Sequence, residues 1–206
     1  MPGSPNFIRN TFLHLLGGLL TTALSAENPI FGDINKKPMT QFVMIVVLLG
    51  SLFLVNVTPI GPPKYVLYAV MCILLGQNLT ALEQRLSAQG TLQWHIFITA
   101  VVFIIMAGIG TFDSQNLLEW ETYLGLTLGA LLISMISSAL FFEGDKRNTA
   151  SMWINRVAAV LFAVYIGFDV EVLKENAKVG GTPDYIKESI SLYLDVVNLF
   201  TGISNS

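Results

Sequence analysis

Asp195 stands about halfway along an otherwise apolar run, in Ser191-Leu-Tyr-Leu-Asp195-Val-Val-Asn198-Leu-Phe. A charge at membrane depth is costly, so such an acid faces a bundle interior or a cavity and marks a functional site by default. Steps of three and four residues place side chains on one face of a helix. Asp184, Glu188, Ser191, Asp195, Asn198 and Gly202 follow those steps. This predicts a polar stripe with Ile190, Leu192, Leu194, Val196, Val197 and Phe200 off it, and with Glu188, Ser191 and Asn198 supporting Asp195. A second acid, Asp169, closes the preceding apolar run in Tyr165-Ile-Gly167-Phe-Asp169-Val-Glu171. A carboxylate at a helix C-terminus meets the negative end of the helix dipole. A compensating group is therefore expected near Asp169, either a cation or a shared proton.

Other chemistries find little support. His14 and His95 stand alone without ligand spacing, which argues against a zinc site. There is no Gly-x-Ser-x-Gly, no His-Glu-x-x-His and no phosphate loop, so no enzyme is expected. Two intramembrane acids could share a proton as in an aspartyl protease, but Asp169 lacks the usual Gly-Asp neighbour. Asn10, His14, Gly17, Gly18, Thr21 and Ser25 form a weaker stripe, and Thr127, Ser134, Ser137 and Ser138 another. Small and hydroxyl residues at such spacing mean close helix packing.

The elements that hold these residues follow from composition. Of 206 residues, 53% are apolar and 12% charged, and mean hydropathy is +0.63. Soluble domains carry roughly 25% charge, so a soluble, disordered or disulfide-stapled chain is excluded. The balance of 11 basic and 14 acidic residues carries no nucleic-acid signature. Seven runs are long enough to cross hydrocarbon, at about 7–26, 39–57, 63–82, 92–111, 120–142, 151–170 and 185–204. Pro38, Pro59, Pro62 and Pro63 mark breaks. Helices are the expected spanning form, because barrel strands would alternate polar and apolar. The first run is expected to be retained rather than cleaved, since Asn10 and His14 interrupt it. The reading is an all-α membrane protein, one domain over 1–206, a seven-transmembrane helix bundle. Orientation is undecided by charge. One side would collect Arg9, Lys64, Lys174, Lys178 and Lys187, the other Lys36, Lys37, Arg85, Lys146 and Arg147, with Arg156 inside a span.

The last two runs resemble the Bax inhibitor-1 family, also called the transmembrane Bax inhibitor motif family. The carrying residues are Gly167-Phe-Asp169-Val-Glu171-Val-Leu173, Asp184-Tyr-Ile186 and Ser191-Leu-Tyr-Leu-Asp195-Val-Val-Asn198-Leu-Phe200. Phe7-Ile-Arg9-Asn-Thr-Phe12, followed by Leu-Leu-Gly-Gly-Leu-Leu, is similar to the opening of that family's first span. The resemblance implies a bundle with the last helix central and wrapped by the other six. It implies a pH-sensitive calcium leak pathway in intracellular or bacterial membranes, and in several eukaryotic members suppression of cell death. It also implies that Asp169 and Asp195 form a hydrogen-bonded, pH-sensing pair.

Two carboxylates within hydrogen-bond reach cannot both ionise cheaply, and they titrate as a unit. Their oxygens are hard ligands suited to calcium, so calcium could compete with the proton. Asp169 and Asp195 are thus expected to be proton sensor and calcium site together, with calcium as permeant or bound ion and no other cofactor. Expected partners are the lipid bilayer, calcium ions, protons and membrane proteins that regulate cell death. The expected location is the endoplasmic reticulum or another intracellular membrane in a eukaryote, or the plasma membrane in a bacterium. Bacterial relatives carry a Glu and an Arg on span two that engage the aspartates. Here that span has neither, which leaves Lys64 or Arg156 as candidate substitutes. No basic residue follows Lys187, so no tail-dependent pH response is expected.

Overall fold

The computed structural model describes residues 5–30, 38–112, 116–178 and 184–206; Lys36 and Lys37 lie outside them. The described residues form seven α-helices: α1 (Pro5–Glu27), α2 (Pro38–Val57), α3 (Pro62–Ala88), α4 (Leu92–Thr111), α5 (Glu121–Phe141), α6 (Gly144–Lys178) and α7 (Tyr185–Ser204). A 3-10 turn, Leu117–Trp120, leads into α5. Each helix overlays one of the seven apolar runs. Three stretches, Pro62–Ala88, Leu92–Thr111 and Leu117–Phe141, are by themselves long and apolar enough to cross a bilayer. The protein is an all-helical integral membrane protein.

Prolines punctuate as expected. Pro38 opens α2, and Pro62 with Pro63 opens α3, where a missing N–H costs nothing because the first turn has no acceptor for it. Gly144 turns the chain from α5 into α6 with φ 54°, a conformation that disfavours side chains. Two helices outrun their apolar segments. α3 continues through Glu83–Ala88, and α6 begins seven residues early and runs eight residues past 170. Hydropathy detects only the part lying in hydrocarbon, whereas Glu, Gln, Lys and Ala continue a helix readily in water.

The extension of α6 has work to do in its own surroundings. Glu171 Oε2 accepts the Leu117 N–H at 2.9 Å, which caps the 3-10 turn, and Lys174 Nζ donates to the Thr111 carbonyl at 2.6 Å. Both bonds tie the α4–α5 connection to α6.

The chain divides into two compact units. The first comprises residues up to Leu92 with Gly180–Tyr193. In it α1 and α3 pack closely: a Cβ on Gly76 would collide with the Thr22 carbonyl and lie 2.7 Å from Ser25 Cβ. Met44 and Leu48 of α2 pack on Leu74 of α3. The second unit comprises Gln93–Val179 with Leu194–Ser206. Its core is Leu124 and Leu131 of α5 against Ala158 and Leu161 of α6. Gly110 of α4 sits directly on the Gly167 carbonyl of α6. Small residues let backbones approach where lipid removes the hydrophobic driving force between helices.

The outward surface is apolar. Phe53, Ile104, Leu126 and Leu140 are exposed, as a lipid-facing surface requires. Hydroxyls on these helices fold back onto carbonyls one turn earlier, as in Thr99 to His95 and Ser134 to Ala130, both at 2.8 Å. That satisfies donors where no water is available.

Candidate functional site

α6 and α7 bring Asp169 and Asp195 together within the second unit. Asp195 is 7% exposed and Asp169 half-buried. The two carboxyl groups are hydrogen-bonded to each other, and one oxygen of each, Oδ2, is sealed from solvent. Ionised carboxylates only accept hydrogen bonds, so this contact requires one of the two to carry a proton. Tyr165, one turn before Asp169, neighbours both carboxyls. The pair therefore carries at least one proton and is set among apolar side chains.

The approach of the two helices rests on Gly202. A Cβ there would lie 2.9 Å from Ala159 N and 3.0 Å from the Asn155 carbonyl. Asn155 Nδ2 also donates to the Asn205 carbonyl at 3.1 Å. Asp195 meets Asp169 while Gly202 meets Ala159, so α6 and α7 run antiparallel here. Gly202→Ala must push backbone away from backbone, and a loss of about 1–3 kcal/mol is expected. Thermal unfolding in detergent measures it, and an unchanged midpoint would remove Gly202 from this role.

Two expectations need correcting. Asp169 is not at a helix C-terminus, because α6 continues through Lys178. The polar residues after Val170 are good helix formers, so the dipole gives Asp169 no special need of compensation. The polar stripe on α7 is also not one buried face. Ser191 is exposed, whereas Glu188 and Asn198 are half-buried. Asp184 and Glu188 belong to the first unit, and Asp195, Asn198 and Gly202 to the second.

Lys64 and Arg156 do not take the place of the missing basic residue beside the pair. Lys64 is fully buried in the first unit and forms an ion pair with Asp184. It also donates to the Thr58 carbonyl at 3.0 Å. Asp184 Oδ1 in turn accepts the N–H groups of Ile186 and Lys187, both at 3.1 Å, and so caps α7. Arg156 lies on an exposed face over the Trp153 ring.

Sequence reasoning missed a polar cluster in the first unit. Tyr185, Ser189 and Tyr193 of α7 face Tyr65, Tyr68 and Cys72 of α3, all at steps of three or four residues, and that spacing was the available signal. Tyr65 and Tyr185 share a hydrogen bond between their hydroxyls. His14 of α1 lies among their rings, with centroids 5.6 Å and 5.1 Å away, and its Nδ1 faces the Asn10 carbonyl at 2.8 Å. A carbonyl only accepts, so Nδ1 carries the proton. Thr22 Oγ donates to the Cys72 carbonyl at 3.0 Å, which commits its single proton. Tyr193 must then donate to Thr22, at 2.5 Å. Tyr68 donates to the His14 carbonyl at 2.8 Å and accepts from Ser189 at 3.2 Å. These protons end on carbonyl oxygens, so the cluster welds α1, α3 and α7 rather than relaying charge. Tyr193→Phe is expected to lower stability by about 1 kcal/mol, read as a lower unfolding midpoint. A neutral result would show that the weld is held elsewhere.

Comparison with known proteins follows the same lines. An uncharacterized protein of Campylobacter jejuni is 29% identical over 97% of this chain and 86% of its own length. An uncharacterized membrane protein of Vibrio cholerae is 24% identical over 95% of this chain and 86% of its own. Protein LIFEGUARD 1 of Arabidopsis thaliana is 31% identical over 56% of this chain and 48% of its own. The family model described as "Inhibitor of apoptosis-promoting Bax1" matches residues 4–205. With that match over nearly the whole chain, and with LIFEGUARD 1 among its relatives, the protein belongs to the Bax inhibitor-1, or transmembrane Bax inhibitor motif, family.

Proposed function

We propose that this protein is a seven-span, pH-sensitive calcium leak channel gated by the proton that Asp169 and Asp195 share. The observation that carries the reading is the hydrogen-bonded carboxyl pair in the apolar second unit. With the proton in place the pair joins α6 to α7. Without it, two like charges face each other in surroundings that screen them poorly. The ionised pair offers hard oxygen ligands, so calcium competes with the proton and binds more tightly as pH rises. Calcium takes six to eight oxygens. Among the described residues no group of three or more His, Cys, Asp or Glu side chains gathers. The donor set thus suits an ion in passage, completed by water, rather than a resident metal.

On this reading the chain is not an enzyme. It is a multi-pass protein of an intracellular membrane in a eukaryote or of the plasma membrane in a bacterium. The test is calcium entry into dye-loaded proteoliposomes at several pH values. Flux that varies with pH supports the reading, and no flux above empty liposomes from folded protein sinks it. A second reading, a membrane-embedded regulator of cell death that acts through membrane partners without conduction, is favoured by the family's description. Retention of a protective effect in cells by a non-conducting Asp195→Asn variant would select it.

A further inference from the structure

Arg156 is a cation within a run read as membrane-embedded, yet it points outward. It is exposed on α6, on the same face as Trp153, Val157 and Val160, which are 57%, 50% and 68% exposed. The two valines place this face against lipid. Long side chains on a helix lean toward its N-terminus, and the Arg156 guanidinium accordingly lies 5.0 Å from the Trp153 ring centroid, one turn up. Exposed tryptophan marks the level of the membrane interface. Thr149 and Lys146, one and two turns above Trp153, continue the face and are exposed.

Among the described residues neither Arg156 nor Lys146 nor Arg147 has a carboxylate partner. Glu143 and Asp145 are at the same end of the helix, which leaves a net charge of +1 from three bases and two acids. Asp145 is eight residues from Trp153, about 80° round the helix and off the face. A cation at this depth needs an anion close by, and on a lipid-facing surface the bilayer is the source that remains.

We propose that this face of α6 binds the headgroup of an anionic phospholipid. Its phosphate is held by the planar fork of Arg156, which matches phosphate oxygens in pairs, and by the Thr149 hydroxyl. Lys146, on the same face, adds attraction from above. The site is independent of the carboxyl pair and of whether the protein conducts.

The test uses a protein whose only tryptophan is Trp153, made by Trp94→Phe and Trp120→Phe at two exposed positions. It is reconstituted in phosphatidylcholine vesicles containing equal fractions of brominated phosphatidylglycerol or brominated phosphatidylcholine. Bromine quenches tryptophan on contact. The expected result is about five-fold enrichment of phosphatidylglycerol at Trp153, which corresponds to about 1 kcal/mol for a basic residue near the surface. Arg156→Gln should abolish the preference, and Arg156→Lys should retain part of it. Should Arg156→Gln not fold, Lys146→Gln with Thr149→Ala, at exposed positions, should at least halve it. Excess inorganic phosphate should leave the preference intact. Equal quenching by the two lipids, a preference untouched by these substitutions, or displacement by inorganic phosphate would overturn the proposal.

Discussion

Asp195→Asn is expected to remove the pH dependence of calcium flux altogether, and Asp169→Asn to do the same. An amide in place of either carboxyl keeps the shape and a hydrogen bond to its partner, but that bond no longer depends on a shared proton. The remaining acid has no like charge facing it in either protonation state, so the joined and repelling arrangements of α6 and α7 cease to be separated by one protonation. Each variant also removes half of the carboxylate oxygens that calcium could meet, so total flux should fall at every pH. Asp195 is the more buried of the two, and its substitution should have the larger effect on flux. The measurement is the proteoliposome assay run in parallel on wild type and both variants. If wild-type flux varies with pH and either variant keeps that variation, the shared-proton gate is wrong, whatever the channel conducts.

Asp184→Asn is expected to destabilise the protein by about 3–5 kcal/mol, the cost of leaving a buried charge unpaired. Asparagine caps a helix about as well as aspartate, so the bonds to the Ile186 and Lys187 N–H groups survive and only the negative charge is lost. Lys64, which has no exposed surface, then keeps the Thr58 carbonyl but no anion. Lys64→Met should cost less. It strands Asp184, whose side chain is 28% exposed and remains solvated in part and bonded to two backbone donors. The double variant should recover most of the Asp184→Asn loss, because removing both partners of a buried pair is far cheaper than removing one. Chemical denaturation in detergent, followed by circular dichroism, gives the three differences. Equal single losses that simply add in the double variant would show that the pair is not coupled.

The positions of the helices were legible because hydrocarbon imposes one demand everywhere: backbone groups must be satisfied within the segment, and the side chains must be apolar. Ten of the fourteen predicted run ends fall on or within one residue of a helix end, and the bounds of α4 and α7 coincide throughout. The errors fall where that demand lapses. α6 extends beyond its apolar run at both ends, in water, and so Asp169 lies inside a helix although hydropathy ended the run beside it.

Pairings were legible only in part. Asp195 announced itself as an acid in hydrocarbon and Asp169 as an acid closing an apolar run, whereas their pairing came through the family resemblance. Steps of three and four residues name a face but not what it meets. They grouped Ser191 with Asp195, although Ser191 is exposed, and they passed over Ser189 and Tyr193, which are buried against α3 and α1. Lys64 and Arg156 were equivalent on the page as spare cations near membrane depth.

By itself, then, the chain's composition and periodicity determined that this is a membrane-embedded helical protein with an acid at depth, because the solvent tests each segment separately. Only the tertiary structure decided that Asp169 faces Asp195, that Lys64 is spent on Asp184, and that Arg156 turns outward over Trp153. Those outcomes depend on how helices rotate against one another, and rotation is set by contacts such as Gly202 on Ala159, which join residues far apart in the chain.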